Sequence, residues 1–317
     1  MLPLFEEASL DGGALDAALS EWGGFQIRVT AGADPLARML SASRAFFALT
    51  PERKAALAIE RSPHFRGWSE MRNERDWREQ LHLGRECAAV AGGETATEEF
   101  WRLQGPNLWP DDAGWRAVVS GYVDAAAALG ESILRVLAPI IDGGAASAGR
   151  ACFEGVGRRG YLVAKLIGYH AQPAVDAVRS GVAPHVDFSW VTINLQDSAG
   201  LEVRRPDGAW APVEVTPGVV WVHAGELLDH LSGGRWQATP HRVINRSHHR
   251  TRVSVPVFVN PSLDAMVPVW QRTAPARPVS EEHVHRVLDP LRVRTPFHFG
   301  AAEWRRKARG VWCHACR

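Results

Sequence analysis

Lysine is nearly missing from this chain. Of 36 basic residues only Lys54, Lys165 and Lys307 are lysine, the rest being arginine, a bias that reads as genome composition rather than function. Basic and acidic residues almost cancel, to a net charge of +1, so no global field draws the chain to nucleic acid or an anionic membrane. Cysteine is as scarce. Cys87, Cys152, Cys313 and Cys316 are too few and too uneven for a disulfide framework and fit a reducing cytoplasm. No apolar run approaches the length of a bilayer span, and the opening MLPLFEEASLDGG lacks the basic flank and apolar stretch of a secretory signal. The expectation is a cytoplasmic protein with no nucleic-acid, membrane or obligate protein partner.

What is present is an ordinary globular composition, 46% hydrophobic and 22% charged over 317 residues, enough for a sizeable core. Two textures divide it near residue 155. The first is mostly helical: LDAALSEWG, closed by Gly23–Gly24; DPLARMLSASRAFFALTPERKAAL, with Asp34–Pro35 and Thr50–Pro51 as start signals; and a long periodic segment over 115–142. Between them, SPHFRGWSEMRNERDWREQLHLGRE mixes Arg, Glu and aromatics without clean periodicity, as a loop-and-strand segment over a pocket does. From Gly160 the pattern becomes short runs of period two, about seven strand candidates separated by turns such as Pro206–Asp207–Gly208 and Thr216–Pro217–Gly218. Many short strands at that spacing predict a sandwich or barrel. After Pro261, SEEHVHRVLDPLRV and AAEWRRKARGVW suggest short helices. The division expected is 1–155, a helical and mixed region packed on the barrel; 156–265, the β core; and 266–317, a helical tail, all in one compact unit.

The chemistry concentrates in APHVDFSWVTINLQD. His185 and Asp187 are two apart, so in an extended strand both point the same way. QATPHRVINR supplies His241, 54 residues after Asp187. Two His and one carboxylate leave the opposite coordination positions open, an arrangement that suits non-haem Fe(II) doing oxygen chemistry; Zn(II) with a hydrolytic water fits the same three ligands. Downstream, TRVSVPVFVNP places Arg252 and Ser254 two apart, a guanidinium fork and a hydroxyl able to grip a carboxylate. Arg252, Ser254, Pro256 and Phe258 share one strand face and four valines the other, which predicts a cavity side and a core side.

The order His185-x-Asp187, His241-Arg242-Val243, Arg252-x-Ser254, Phe258, Asn260–Pro261 resembles the isopenicillin-N-synthase-like branch of the Fe(II)- and 2-oxoglutarate-dependent oxygenases. GGFQI, SRAFFALTPERKAAL, RGW with DWREQLHLG, and LEVRRPDGAWAPVEVTPGVVWVHAGELL are similar to the same family, so the resemblance covers most of the chain. It implies a mainly β fold with flanking helices, a double-stranded β-helix (jelly-roll) core inside an N-terminal helical jacket. It implies Fe(II) held by His185, Asp187 and His241. It implies 2-oxoglutarate gripped by Arg252 and Ser254, with Tyr169 of KLIGYH as a further hydroxyl; here the family's Asn is Ile167 and its Pro is His170. With O2 as oxidant, such an enzyme oxidises a C–H bond of a small molecule by hydroxylation, desaturation or cyclisation, and succinate and CO2 are the co-products. The family's Gly-Asp after the fifth barrel strand is Gly225–Glu226 in this chain.

Other readings remain open at this stage. A same-fold oxidase can spend the Arg/Ser pair on its substrate, an ethylene-forming member fragments 2-oxoglutarate itself, and a non-catalytic barrel binds metal or ligand without turnover. Substrate contacts are expected from Arg66, Trp68, Arg75, Trp77 and Phe258, with His82 a further candidate in the same stretch. The remaining histidines, His64, His223, His248, His249, His283 and His285 among them, read as structural or solvated, and Cys313-His314-Ala315-Cys316 as a tail with two thiols.

Overall fold

The computed structural model describes residues 2–90, 98–141, 148–171, 179–205, 207–247, 249–269, 284–288 and 294–315. The chain opens with β1 (Leu4–Glu6), α1 (Gly12–Trp22), β2 (Gly24–Arg28), α2 (Ala33–Phe47), α3 (Pro51–Ala55), β3 (Gly67–Arg72) and β4 (Trp77–Gly84). Then come α4 (Ala113–Ile141), α5 (Ala148–Phe153), α6 (Val156–Arg159), β5 (Val163–Tyr169), β6 (Arg179–His185) and β7 (Val191–Gln196). They are followed by β8 (Leu201–Arg204), β9 (Trp210–Pro212), β10 (Val219–Ala224), α7 (Glu226–Leu231), β11 (His241–Asn245) and β12 (Arg252–Val259). Two short strands, β13 (Met266–Val267) and β14 (Phe297–His298), precede the closing helix α8 (Phe299–Ala315).

The helix boundaries follow local chemistry. The Asp11 carboxylate accepts from the Ala14 N–H at 2.8 Å and caps α1, and Gly23, at φ 72°, ends it in the left-handed region open to glycine. Thr50 caps α3, whose first residue is Pro51. α4, 29 residues long, buries the stripe Val119, Tyr122, Val123, Ala126, Leu129, Ile133, Leu134 and Leu137.

The strands form a major sheet in the order β1-β2-β10-β7-β12-β5-β4-β3 and a minor sheet in the order β6-β11-β8-β9. Among the described strands only β1 and β2 run parallel; the other strand pairs are antiparallel. This is the double-stranded β-helix with helices along one side. α2 and α4 pack on β5, β7 and β12, and Val253, Val255, Val257 and Val259 enter the main core. At Gly130 of α4 helix and sheet approach closely: a Cβ there would lie 2.7 Å from Val259.

Two expectations change in detail. The first third of the chain, read as a helical and mixed region with a loop-and-strand segment over 62–86, also supplies half of the eight-stranded sheet through β1 to β4. β4 alternates about an inner and an outer face, and charges on both faces hide the apolar alternation that sequence reading looks for. The second concerns 280–293, expected to be helical. Its described part, 284–288, is a bridge residue followed by a bend: His285 pairs with His185 in a parallel bridge, and the Glu226 carboxylate accepts the Val287 and Leu288 N–H groups at 3.0–3.1 Å. A tertiary anchor overrides local helical spacing there. The rest of that segment, including His283, lies outside the described residues, as do His248, Cys316 and the side chain of Cys313.

Candidate metal and co-substrate site

The long separation of His185 and His241 closes through strand pairing. β6 and β11 are neighbours in the minor sheet, and the two histidines are direct cross-strand partners, with ring centroids 4.2 Å apart. The Nδ1 of His185 is 2.9 Å from the Ala183 carbonyl, and that of His241 is 3.0 Å from the Thr239 carbonyl. Each carbonyl accepts the Nδ1 proton, which leaves both Nε2 lone pairs free. Asp187 Oδ1 is 3.6 Å from each Nε2, and one ligand atom from each of the three residues lies within 4.8 Å of the others. Three donors of that kind at that spacing fit a divalent ion.

Asp187 does not lie on the strand with His185. β6 ends at His185 and the chain bends through 188–190 before β7, so strand alternation alone does not aim this carboxylate. Its other oxygen is held instead: Oδ2 accepts from Thr192 Oγ1 at 2.7 Å and from His223 Nε2 at 2.9 Å. Burial pushes the Asp187 carboxyl up, but His241, His223 and His185 outweigh it and hold the group well below the usual carboxylate range. Burial keeps His185 neutral and takes His241 down to about 4, with Asp187 opposing. Neutral imidazoles and an ionised carboxylate are the forms that ligate.

His223 is the residue that sequence reading misses. It is 1% exposed, its ring lies 4.5 Å from that of His241, and it faces the site from β10. Because Asp187 is ionised and can only accept, His223 Nε2 carries the proton of that contact. The signal was there: in VVWVHAG strand alternation puts Trp221 and His223 on one face, but nothing local says that the face is the inner one.

The carboxylate clamp lies at the start of β12. Arg252 is 1% exposed and Tyr169 equally so; they are cross-strand partners, as are Ser254 and Ile167. The guanidinium sits 4.9 Å from the Tyr169 ring, donates from Nε to the Ala199 carbonyl at 3.0 Å, and from Nη2 to Gln196 Oε1 at 2.6 Å. Its Nη1 is buried without a partner among the described residues. A buried guanidinium nitrogen left bare costs free energy unless a guest supplies an acceptor, and the Ser254 hydroxyl is on the same strand face. Burial lowers the Arg252 pKa, with Tyr169 and Asp197 opposing. The arrangement fits a carboxylate guest.

Of the five expected substrate contacts, Arg66 and Phe258 reach the inner face and three do not. Trp68 donates from Nε1 to Glu79 at 2.8 Å on the helix side of the sheet, Trp77 shares that outer face by alternation, and Arg75 is exposed in the turn between β3 and β4. The inner residues of β4 are Arg78, Gln80 and His82. A cavity of about 590 Å³, lined by Arg66, Cys87, Cys152, Trp190 and Pro261 among others, touches none of the three metal-site residues.

Comparison with known sequences decides the family. The profile of the 2OG-Fe(II) oxygenase superfamily matches residues 159–261, and that of the N-terminal region of the non-haem dioxygenases, named for morphine synthesis, matches residues 8–112. The chain belongs to the 2OG-Fe(II) oxygenase superfamily. Members of this superfamily are non-haem dioxygenases that work with iron, 2-oxoglutarate and O2. The 2-oxoglutarate-Fe(II) type oxidoreductase hxnY of Emericella nidulans is 29% identical over 72% of this chain and 67% of its own. A homoarginine-6-hydroxylase of Oryza sativa is 28% identical over 80% of this chain and 78% of its own. The chain spans 62–67% of the length of the first three fungal relatives. In structure it is similar to a full-length Neurospora crassa protein crystallised in complex with alpha-KG, with a TM-score of 0.73 and 21% identity over 98% of this chain and 96% of that one.

Proposed function

We propose that this member of the superfamily oxidises a C–H bond of a small molecule, with Fe(II) held by His185, Asp187 and His241 and 2-oxoglutarate held by Arg252, Ser254 and Tyr169. The observation that carries this is the convergence of three ligand atoms within 4.8 Å beside a buried guanidinium with a bare Nη1. The iron and the oxo acid together supply O2 activation, releasing succinate and CO2. The protein's own share is positional. The carbonyls of Ala183 and Thr239 orient the two imidazoles. Thr192 and His223 occupy Asp187 Oδ2 and leave Oδ1 for the metal. Arg252 and Ser254 fix the far end of the oxo acid, and the valine face of β12 seals the site from the helices.

Anaerobic titration with Fe(II) and 2-oxoglutarate tests the reading. A metal-to-ligand charge-transfer band should appear in the native chain, be absent from His185→Ala, and give way to succinate on admission of air. No band and no succinate would overturn it. O2 uptake that ignores 2-oxoglutarate would move the Arg/Ser pair to a substrate carboxylate, and ethylene in the headspace would mark fragmentation of the oxo acid.

Two broader expectations belong to the same proposal. Residues 1–155, 156–265 and 266–317 act as one unit, so limited proteolysis should yield no stable core that still forms the band. The protein works in the cytoplasm; among the described residues no helix is long and apolar enough to cross a membrane.

A further inference from the structure

The inner face of β4 and β5 carries more positive charge than the structure answers. His82 and Lys165 are direct cross-strand partners, and strand alternation puts Arg78, Gln80 and His82 of β4 on one face with Lys165, Ile167 and Tyr169 of β5. Arg66 lies over the same face, since a Cβ on Gly84 would meet its guanidinium at 2.3–2.7 Å. From α8, Arg306 reaches to within 5.8 Å of the Phe188 ring, beside Asp187, and the Lys307 amine, supported by Glu303, is near enough for Arg306, Lys165 and Arg66 to oppose its protonation. Five cations, Arg66, Arg78, Lys165, Arg306 and Lys307, thus gather at one end of the barrel, with Arg306 at its exposed edge.

Two carboxylates pair with two of them: Asp76 with Arg78 at 3.3 Å and Glu303 with Arg306 at 2.6 Å. Three remain. Arg66 is 2% exposed and makes do with the Leu103 carbonyl and the Tyr161 hydroxyl, its Nε bare. Lys165 and Lys307 are half-buried and form no hydrogen bond or ion pair among the described residues; Lys165 lies 5.2 Å over the Phe258 ring. Both nitrogens of the buried His82 ring are also without partners among the described residues. Burial takes the Lys165 amine down to about 8 and Lys307 down to about 7. Uncompensated charge inside a fold is costly, and perturbed groups of that kind collect where a ligand completes the site.

This is not the 2-oxoglutarate clamp. Lys165 stands four residues before Tyr169 on β5, about 13 Å along the strand from the Arg252 end. It lies nearer the metal site, since the Asp187 charge reaches it.

We propose that the substrate is an anion, and that Lys165 and Lys307, with Arg66 and His82, take its carboxylate or phosphate while Phe258 packs against its body. This rests on the oxygenase reading and names the substrate class of the same site. Scarcity sharpens it: the chain has only three lysines, and one of them stands on this face while a second lies near it on α8.

The test uses the full chain loaded anaerobically with Fe(II) and 2-oxoglutarate. Isophthalate and phenyl phosphate are titrated by calorimetry and by their effect on the charge-transfer band, each against its uncharged counterpart, isophthalamide or phenol. At least one anion should bind about tenfold or more tightly than its counterpart, and the tighter of the two tells carboxylate from phosphate. Lys165→Met and Lys307→Met should each weaken that binding about tenfold or more while the band still forms. If K165M does not fold, K307M carries the comparison. Binding that ignores charge, anion binding untouched in both variants, or loss of the band itself in K307M would overturn the inference, the last by assigning these lysines to 2-oxoglutarate. If the native chain forms no band, the oxygenase reading falls, and calorimetry of the same probes on the metal-free chain still decides this one.

Discussion

His223 shows how much a single proton placement governs at the candidate metal site. It donates to the Asp187 oxygen that faces away from the histidine pair, at 2.9 Å, and Thr192 donates to the same atom at 2.7 Å. With Ser189 Oγ 3.1 Å from Thr192 Oγ1, and the only Thr192 proton spent on Asp187, Ser189 is the donor of that pair and the three residues form a directed chain. Such outer contacts orient a ligand and set its basicity. His223→Ala should weaken Fe(II) binding about 10- to 100-fold, measured by chelator competition. His223→Asn, which keeps a donor, should recover part of that loss. An affinity unchanged in both would reduce His223 to packing.

Among the elements, β4 does two opposite jobs. Its inner face presents Arg78, Gln80 and His82. Its outer face carries Glu79, which is 0% exposed and accepts from Lys54 Nζ of α3 at 2.7 Å and from Trp68 at 2.8 Å. That ion pair ties the helical layer to the sheet, and removing one partner strands the other in a dry place. Lys54→Met should destabilise the fold by about 3–5 kcal/mol, read by denaturant unfolding. Adding Glu79→Leu to it should return much of the loss, because an apolar pair needs no compensation. If K54M alone is neutral, the pair does not fasten the layers.

At the scale of the whole molecule, the inward-facing lysines tie stability to pH. Lys165 and Lys307 have folded pKa values near 8 and 7, both below the ordinary 10.5. Between those values and 10.5 the unfolded chain binds more protons than the folded one, so both groups make stability rise with pH in that window. The groups facing Lys165 are Arg78, Arg306, Asp187 and Glu303, with His82 across the strand pair. Lys165→Met removes one half-buried charge and should raise the unfolding free energy at pH 7 by roughly 1–2 kcal/mol. Its advantage over the native chain should shrink by pH 9, as thermal midpoints at the two pH values would show. A variant equally stable or weaker at pH 7 would mean that the amine is already answered by an anion. A binding face that weakens its own fold is the expected trade-off.

The strand frame and the long helix α4 were legible in the chain because each rests on periodicity, which local sequence carries whole. So were the candidate ligands His185, Asp187 and His241 and the Arg252–Ser254 pair, as residue types in order. Other features depended on which face of an element turned inward. His223 read as a structural or solvated histidine, Trp68 and Trp77 as substrate contacts, and the lysines as a matter of composition. Only antiparallel pairing of β6 with β11 and of β4 with β5 decided that His185 meets His241 and that His82 meets Lys165. The physical reason is that alternation in a strand fixes which residues share a face, whereas the partner strand and the covering helix fix which face is the interior.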